Sequence, residues 1–232
     1  MHKLDKYKDF LEKGAAEGQD WSVYAKRPLG RYYTFKKAFE LFEEIEGKYI
    51  LELGTTRSFV HGGLEGCNSG DIIYWKPNNP ETWDWGAGCF TRVAAECCSF
   101  EKLITVDVVS EHLKRCKVIT QDFKDKIEYI CSDSLYLLQN INNIQFVYLD
   151  TGDMTPIEVT ANHQLKEAQI IVERKLIPIG GLVLIDDVKN TTPLKFGEKS
   201  LLGKAKYSLP FLLANGFELI MDEYQVLLRR VR

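Results

Sequence analysis

The sequence lacks any surplus of positive charge: its 30 Lys and Arg are outnumbered by 33 Asp and Glu, for a formal net charge of −3. A domain that grips nucleic acid carries a basic excess to release counterions from phosphates, so nucleic acid is not an expected partner. No apolar run approaches the roughly 18 residues that span a bilayer, so neither is a membrane. The segment Met1 to Phe10 alternates charge with aromatics and has no apolar core of a signal peptide. Cysteine is scarce, with six residues (Cys67, Cys89, Cys97, Cys98, Cys116 and Cys131) and no CxxC pair. That excludes a dense disulfide scaffold and leaves reduced thiols in a cytoplasmic protein as the expectation. His61 and His112 have no partner at a spacing that suggests zinc. Repeats, low-complexity tracts and Pro/Ser-rich linkers are missing too.

What is present is a balance of 45% hydrophobic and 27% charged residues over 232 positions, enough for a folded domain with a full core. Apolar runs alternate with helix-length segments, the pattern of a mainly parallel sheet covered by helices on both faces. Five runs read as buried parallel strands: Lys48–Leu53, Lys102–Asp107, Lys126–Cys131, Gln145–Asp150 and Gly181–Asp186. Phe217–Met221 and Tyr224–Arg230 are separated only by Asp222 and Glu223, which predicts a C-terminal hairpin and one antiparallel strand. The expected fold is therefore α/β, doubly wound and Rossmann-like, with a mainly parallel seven-stranded sheet ending in an antiparallel hairpin.

Helices are expected over Thr34–Glu46, Gly86–Phe100, Ser110–Phe123, Ser134–Asn140, Pro156–Leu176 and about Lys204–Asn215. Residues 1–47 form a helical arm and residues 48–232 the main domain. One stretch breaks the alternation. Arg57–Trp83, 27 residues rich in Gly, Asn and Pro, lies between the first strand and the next helix. Loops of that length usually serve function, which predicts a lid or substrate-facing insertion over the crevice. Trp75, Trp83 and Trp85 would either form its aromatic cover or pin it to the surface.

Ligands of open α/β sheets bind outside the carboxyl ends of the strands, where strand order reverses. Here the strand ends carry acids: Glu52, Asp107, Asp133, Asp150 and the pair Asp186-Asp187. Gly54 lets the backbone turn sharply against a ligand. Glu52 could hold the positive end of a cofactor, and Asp107 is placed to accept from ribose hydroxyls. In a dinucleotide fold that acid follows the glycine turn by about 20 residues. Asp107 lies 53 residues after Gly54 but 19 after Gly88, so Gly86-Ala87-Gly88 is read as opening the first crossover helix.

The series ILELGTT, TVD, CSDS, VYLD and GGLVLIDD resembles the motifs of class I S-adenosylmethionine-dependent methyltransferases, over roughly Lys48 to Arg230. More narrowly, Asp150-Thr-Gly-Asp153-Met154 followed by Gly180-Gly-Leu-Val-Leu-Ile-Asp-Asp187 is similar to the macrocin O-methyltransferase group. The resemblance implies S-adenosylmethionine as cofactor and a small hydroxylated molecule as substrate. It implies cofactor contacts at Glu52, Gly54, Thr55, Thr56, Gly86, Asp107, Ser132, Asp133 and Asp150, with Asp107 on the ribose and Asp133 near the adenine. The first turn departs from the family, reading Gly54-Thr-Thr-Arg in place of Gly-x-Gly-x-Gly.

Asp150, Asp186 and Asp187 would repel one another unless a cation or protons intervened. Oxygen-only ligands suit Mg²⁺, or Ca²⁺ or Mn²⁺, and the resembling families use such an ion to activate a hydroxyl. Asp150 and His163 are the candidate catalytic groups, His163 as a general base on the helix that follows. The alternatives are a metal-independent methyltransferase, in which the acids cap turns and orient the cofactor, and an NAD(P)-dependent oxidoreductase. The latter would need a third glycine that Gly86-Ala-Gly88-Cys-Phe-Thr91 lacks. The oligomeric state, including a homo-oligomer, is not readable from these motifs.

Overall fold

The computed structural model describes residues 3–12, 30–60, 69–84, 89–152, 156–188 and 203–232. Seven strands form one sheet: β1 Tyr49–Leu53, β2 Lys102–Asp107, β3 Ile127–Cys131, β4 Phe146–Leu149, β5 Leu182–Ile185, β6 Phe217–Asp222 and β7 Val226–Arg230. Their spatial order is β3-β2-β1-β4-β5-β7-β6. β1 through β5 pair in parallel, and β7 runs antiparallel to both neighbours. The sheet is thus the expected one, with β7 as the single antiparallel strand. Strand order reverses between β1 and β4, and the crevice at their carboxyl ends is where a ligand of this architecture sits.

Strand alternation sorts the core into two layers. Phe146 and Tyr148 of β4 face one side with Leu182 and Leu184 of β5, and Val147, Leu149, Val183 and Ile185 face the other. The first layer is covered by α1 Lys8–Glu12, α2 Tyr32–Glu44 and α3 Phe90–Cys97, whose Phe35, Phe39, Phe42 and Phe90 pack on the sheet. Phe90 stacks on Tyr148 at 4.2 Å between ring centres. The second layer is covered by α5 Ser134–Leu138, α6 Ile157–Glu173 and α7 Ser208–Ala214. α4 Ser110–Ile119 packs on β2 and β3. The N-terminal arm is continuous with this core: Leu4, Tyr7, Phe10 and Leu11 are all buried in the first layer.

The described part of the insertion is pinned to the N-terminal arm and to α4. Trp83 is 3% exposed, and its ring meets Tyr7, Phe10 and Trp75 at 5.5, 5.5 and 4.8 Å. Its indole N–H donates to the Lys76 carbonyl, while Val60 and Trp83 form an antiparallel bridge. Arg115 of α4 holds the Arg57 carbonyl at 2.7 Å. Of the two roles foreseen for the tryptophans, Trp75 and Trp83 anchor the loop to the arm. Trp85 and the Gly86-Ala87-Gly88 turn lie outside the described residues, and α3 begins at Phe90.

Candidate active site

A cleft of about 330 Å³ opens at the strand ends, lined by Gly54, Val106, Asp107, Val108, Ser132, Asp133, Ser134, Thr151, Gly152, Val159, Thr160 and His163. Four of the expected cofactor residues, Gly54, Asp107, Ser132 and Asp133, therefore line one cleft together with His163. Gly54 has φ +90, and a Cβ there would meet the Asp150 carbonyl oxygen at 2.6 Å. Only glycine lets β1 and β4 approach so closely while the chain turns away. Gly152, with φ +68, packs against Thr160 in the same way.

Asp107 is oriented by its own turn. Oδ1 accepts from the Val109 backbone N–H at 2.8 Å, and Oδ2 accepts from the Thr55 N–H at 3.3 Å and lies 3.2 Å from His112 Nδ1. Asp133 caps α5 by accepting from the Leu135 and Tyr136 N–H groups. Thr55 and Thr56 are buried and do not line the cleft. Neither does Glu52, which is 1% exposed and turns toward α3. Its Oε2 accepts from the Thr105 hydroxyl at 2.5 Å and from the Thr91 hydroxyl. Burial raises the Glu52 carboxyl to about 8, against the opposing pull of these hydroxyls. The expected contact from Glu52 to a cofactor's positive end is thus not made by a side chain facing the cleft.

The cleft floor rests on a residue the sequence pattern did not single out. Glu167 of α6 is fully buried; Ser134 Oγ donates to its Oε1 at 2.6 Å and Thr151 Oγ1 to its Oε2 at 2.9 Å. Because the Ser134 hydrogen goes to Glu167, Ser134 accepts from His163 Nε2–H at 2.8 Å. Glu167, 3.3 Å from His163, raises the imidazole above its ordinary value. The i, i+4 spacing of His163 and Glu167 was the available signal. His163 is thereby tied to the β3 end of the cleft, and its hydrogen-bond partners do not include the Asp150 group.

Asp150, Asp186 and Asp187 do converge: each offers an oxygen within 4.8 Å of the others. Yet the structure already supplies cations. Lys204 Nζ lies 2.9 Å from Asp150 Oδ1 and 2.9 Å from Asp187 Oδ2, with its side chain 3% exposed. Arg31 grips Asp186 with two nitrogens, at 3.1 Å to Oδ1 and 2.5 Å to Oδ2, and Gln225 Nε2 donates to Oδ1 at 2.9 Å. The Tyr224 hydroxyl donates to Asp187 Oδ1. Asp187 adopts φ +53, a left-handed conformation costly outside glycine and typical of functional turns. Burial would lower the Lys204 ammonium, but Asp150, Asp187 and Asp186 outweigh it and raise it above its ordinary value. Burial raises Asp150 to about 6 even against Lys204, and its side chain remains 18% exposed. The donor set therefore does not suit Mg²⁺: the place between Asp150 and Asp187 holds an ammonium, and both Asp186 oxygens are engaged.

No protein-family model and no curated protein matches this sequence. Solved structures do match its fold. The O-methyltransferase from Bacillus cereus in complex with SAH superposes with a TM-score of 0.52 at 13% identity, covering 99% of this chain and 90% of that one. A methyltransferase from Geobacter sulfurreducens superposes with a TM-score of 0.50 at 13% identity, covering 86% of this chain and 79% of that one. At such identities the likeness establishes the architecture: a Rossmann-like methyltransferase fold.

Proposed function

We propose that this protein is an S-adenosylmethionine-dependent methyltransferase that methylates a hydroxyl oxygen of a small molecule. The observation that carries this reading is the cleft at the carboxyl ends of β1 to β4, lined by the oriented Asp107; Asp150 does not line it but directly precedes Thr151 and Gly152, which do, and its side chain is 18% exposed. Asp107 would take the ribose hydroxyls, and Val108 and Asp133 would flank the adenine. Gly54 would admit the backbone close to the ligand. The bound cofactor supplies an electrophilic methyl group on a cationic sulfur.

The protein's own part is positioning and proton removal. A neutral hydroxyl is a weak nucleophile until its proton leaves. Paired with the Lys204 ammonium, Asp150 is ionised, and burial makes it more basic than an ordinary aspartate. Lys204 holds its Oδ1, which makes Oδ2 the atom that takes the proton. Three carboxylates against Arg31 and Lys204 leave the cluster one negative charge, which favours an approaching cation. The net charge of −3 and the acid-lined strand ends favour a small substrate over a polyanion. Of the residues that carry the narrower macrocin-type likeness, Asp150, Asp186 and Asp187 converge but are paired with Lys204 and Arg31, and Asp153 and Met154 lie outside the described residues.

Calorimetry should find one S-adenosylhomocysteine site per chain and none for NAD⁺; the reverse would replace this reading with the oxidoreductase alternative. With an accepted hydroxylated substrate, Asp150→Asn should lower turnover by a factor of 10²–10⁴, the usual size of general-base catalysis, while S-adenosylhomocysteine still binds.

A further inference from the structure

We propose that Lys204 is a built-in counter-cation that excludes divalent ions from the Asp150–Asp187 site. The claim goes beyond the proposed reaction, because it concerns what occupies the carboxylates whatever molecule is methylated.

Three neighbouring aspartates seen only in sequence invite a hard metal ion. In the fold, their charge is met from elsewhere in the chain. Lys204 enters from the turn Gly203–Lys206 and places one nitrogen 2.9 Å from an oxygen of each of Asp150 and Asp187. A divalent ion needs oxygens at about 2.0–2.6 Å around one centre, and that centre lies between the same two carboxylates. Ion and ammonium cannot share it. The third carboxylate offers no alternative, since Asp186 is fully buried and spans Arg31 and Gln225. Arg31 is in turn fixed over the Tyr224 ring at 5.3 Å, and Gln225 is fixed by Thr34 at 2.5 Å and Tyr148 at 3.1 Å.

Electrostatics reinforces the steric conflict. The cluster carries one net negative charge with both cations in place, so a divalent ion would reverse its sign. Expelling Lys204 instead would require a buried side chain, only 3% exposed, to leave two ion pairs. Lysine suits this position because one compact nitrogen with three donors can serve two carboxylates at once.

Manganese binding tests the proposal directly, with Mn²⁺ chloride as the probe and free Mn²⁺ followed by electron paramagnetic resonance. Wild-type protein should show no saturable site at millimolar Mn²⁺, and its melting temperature should not move with the ion. Lys204→Gln should create one site, at least tenfold tighter, that disappears again in the Lys204→Gln/Asp187→Asn double variant. Lys204→Arg, which keeps a cation, should exclude Mn²⁺ as the wild type does. A Lys204→Gln protein that folds only when Mn²⁺ is added would support the proposal by mass action on the native state. If Lys204→Gln does not fold at all, the wild-type measurements decide. Saturable Mn²⁺ binding by the wild type, or equal affinity in wild type and Lys204→Gln, overturns the proposal. None of these readings requires turnover, so the proposed methyl transfer could fail while this result stands, and the converse.

Discussion

The two ends of the crevice are built from the same kind of residue and by opposite means. At the β2–β3 end, Asp133 is held by backbone N–H groups two and three residues further along the chain, and Asp107 by the Val109 and Thr55 backbone N–H groups with His112 beside it. At the β4–β5 end, Asp150, Asp186 and Asp187 are held by side chains from distant segments: Arg31, Lys204, Tyr224 and Gln225. Backbone N–H groups aim an acid without supplying a counter-charge. A long-range ion pair brings a cation to it and sets its basicity. Position at a strand end therefore does not by itself tell whether an aspartate faces a ligand, a base's task or an internal cation.

Three substitutions sharpen that contrast, from the largest effect to the smallest. Asp186→Ala leaves the Arg31 guanidinium buried without its carboxylate, and loss of one partner of a buried pair costs about 3–5 kcal/mol. Urea unfolding should show a stability loss of that order; a loss below about 1 kcal/mol would mean the long-range pair is not what holds this end.

Asp107→Ala should behave oppositely. Its partners are the Val109 and Thr55 backbone N–H groups and His112, and no buried guanidinium is stranded, so unfolding should change less than in Asp186→Ala. S-adenosylhomocysteine affinity should fall by about 1–3 kcal/mol, the range for a lost hydrogen bond to a charged group. Calorimetry that finds unchanged affinity, with stability lost instead, would make Asp107 a structural acid like Asp186.

Glu52→Gln probes a strand-end acid that is enclosed but has no cationic partner among its named hydrogen bonds. Its folded carboxyl is raised from 4.5 to about 8. A raised value means the folded state binds the proton more tightly than the unfolded state. The resulting stability is fully present below about 4.5 and is lost as pH rises through about 8. Glutamine does not titrate, so the variant should lack this slope, at most about 1.4 kcal/mol per pH unit. Parallel pH–stability curves for wild type and variant between pH 5 and 8 would show that Glu52 ionises normally.

The contrast also explains what could be read beforehand. Apolar runs with acids at their ends gave the five parallel strands, because a strand covered on both faces must be apolar along its whole length. The closeness of Phe217–Met221 and Tyr224–Arg230 gave the hairpin, a local feature. Asp107, Ser132, Asp133 and Gly54, each at the carboxyl end of a strand, line one cleft. Thr55 and Thr56, in the same turn, are buried away from the cleft: adjacency to a glycine turn does not fix which way a side chain points. The role of Trp83 could not be assigned from sequence, since its partners Tyr7 and Phe10 come from the arm.

By itself, then, the sequence determined the α/β class, the strand set and the acids at the strand ends, all of which follow from period, length and turn chemistry. Only the tertiary structure decided what those acids face. It turned Glu52 toward Thr91 and Thr105, joined His163 to Glu167 and Ser134, and brought Arg31 and Lys204 to Asp186, Asp150 and Asp187. The physical reason is range. Backbone turns act over a few residues, whereas a buried charge must be neutralised by whatever the fold brings within a few ångströms, here across 155 residues between Arg31 and Asp186.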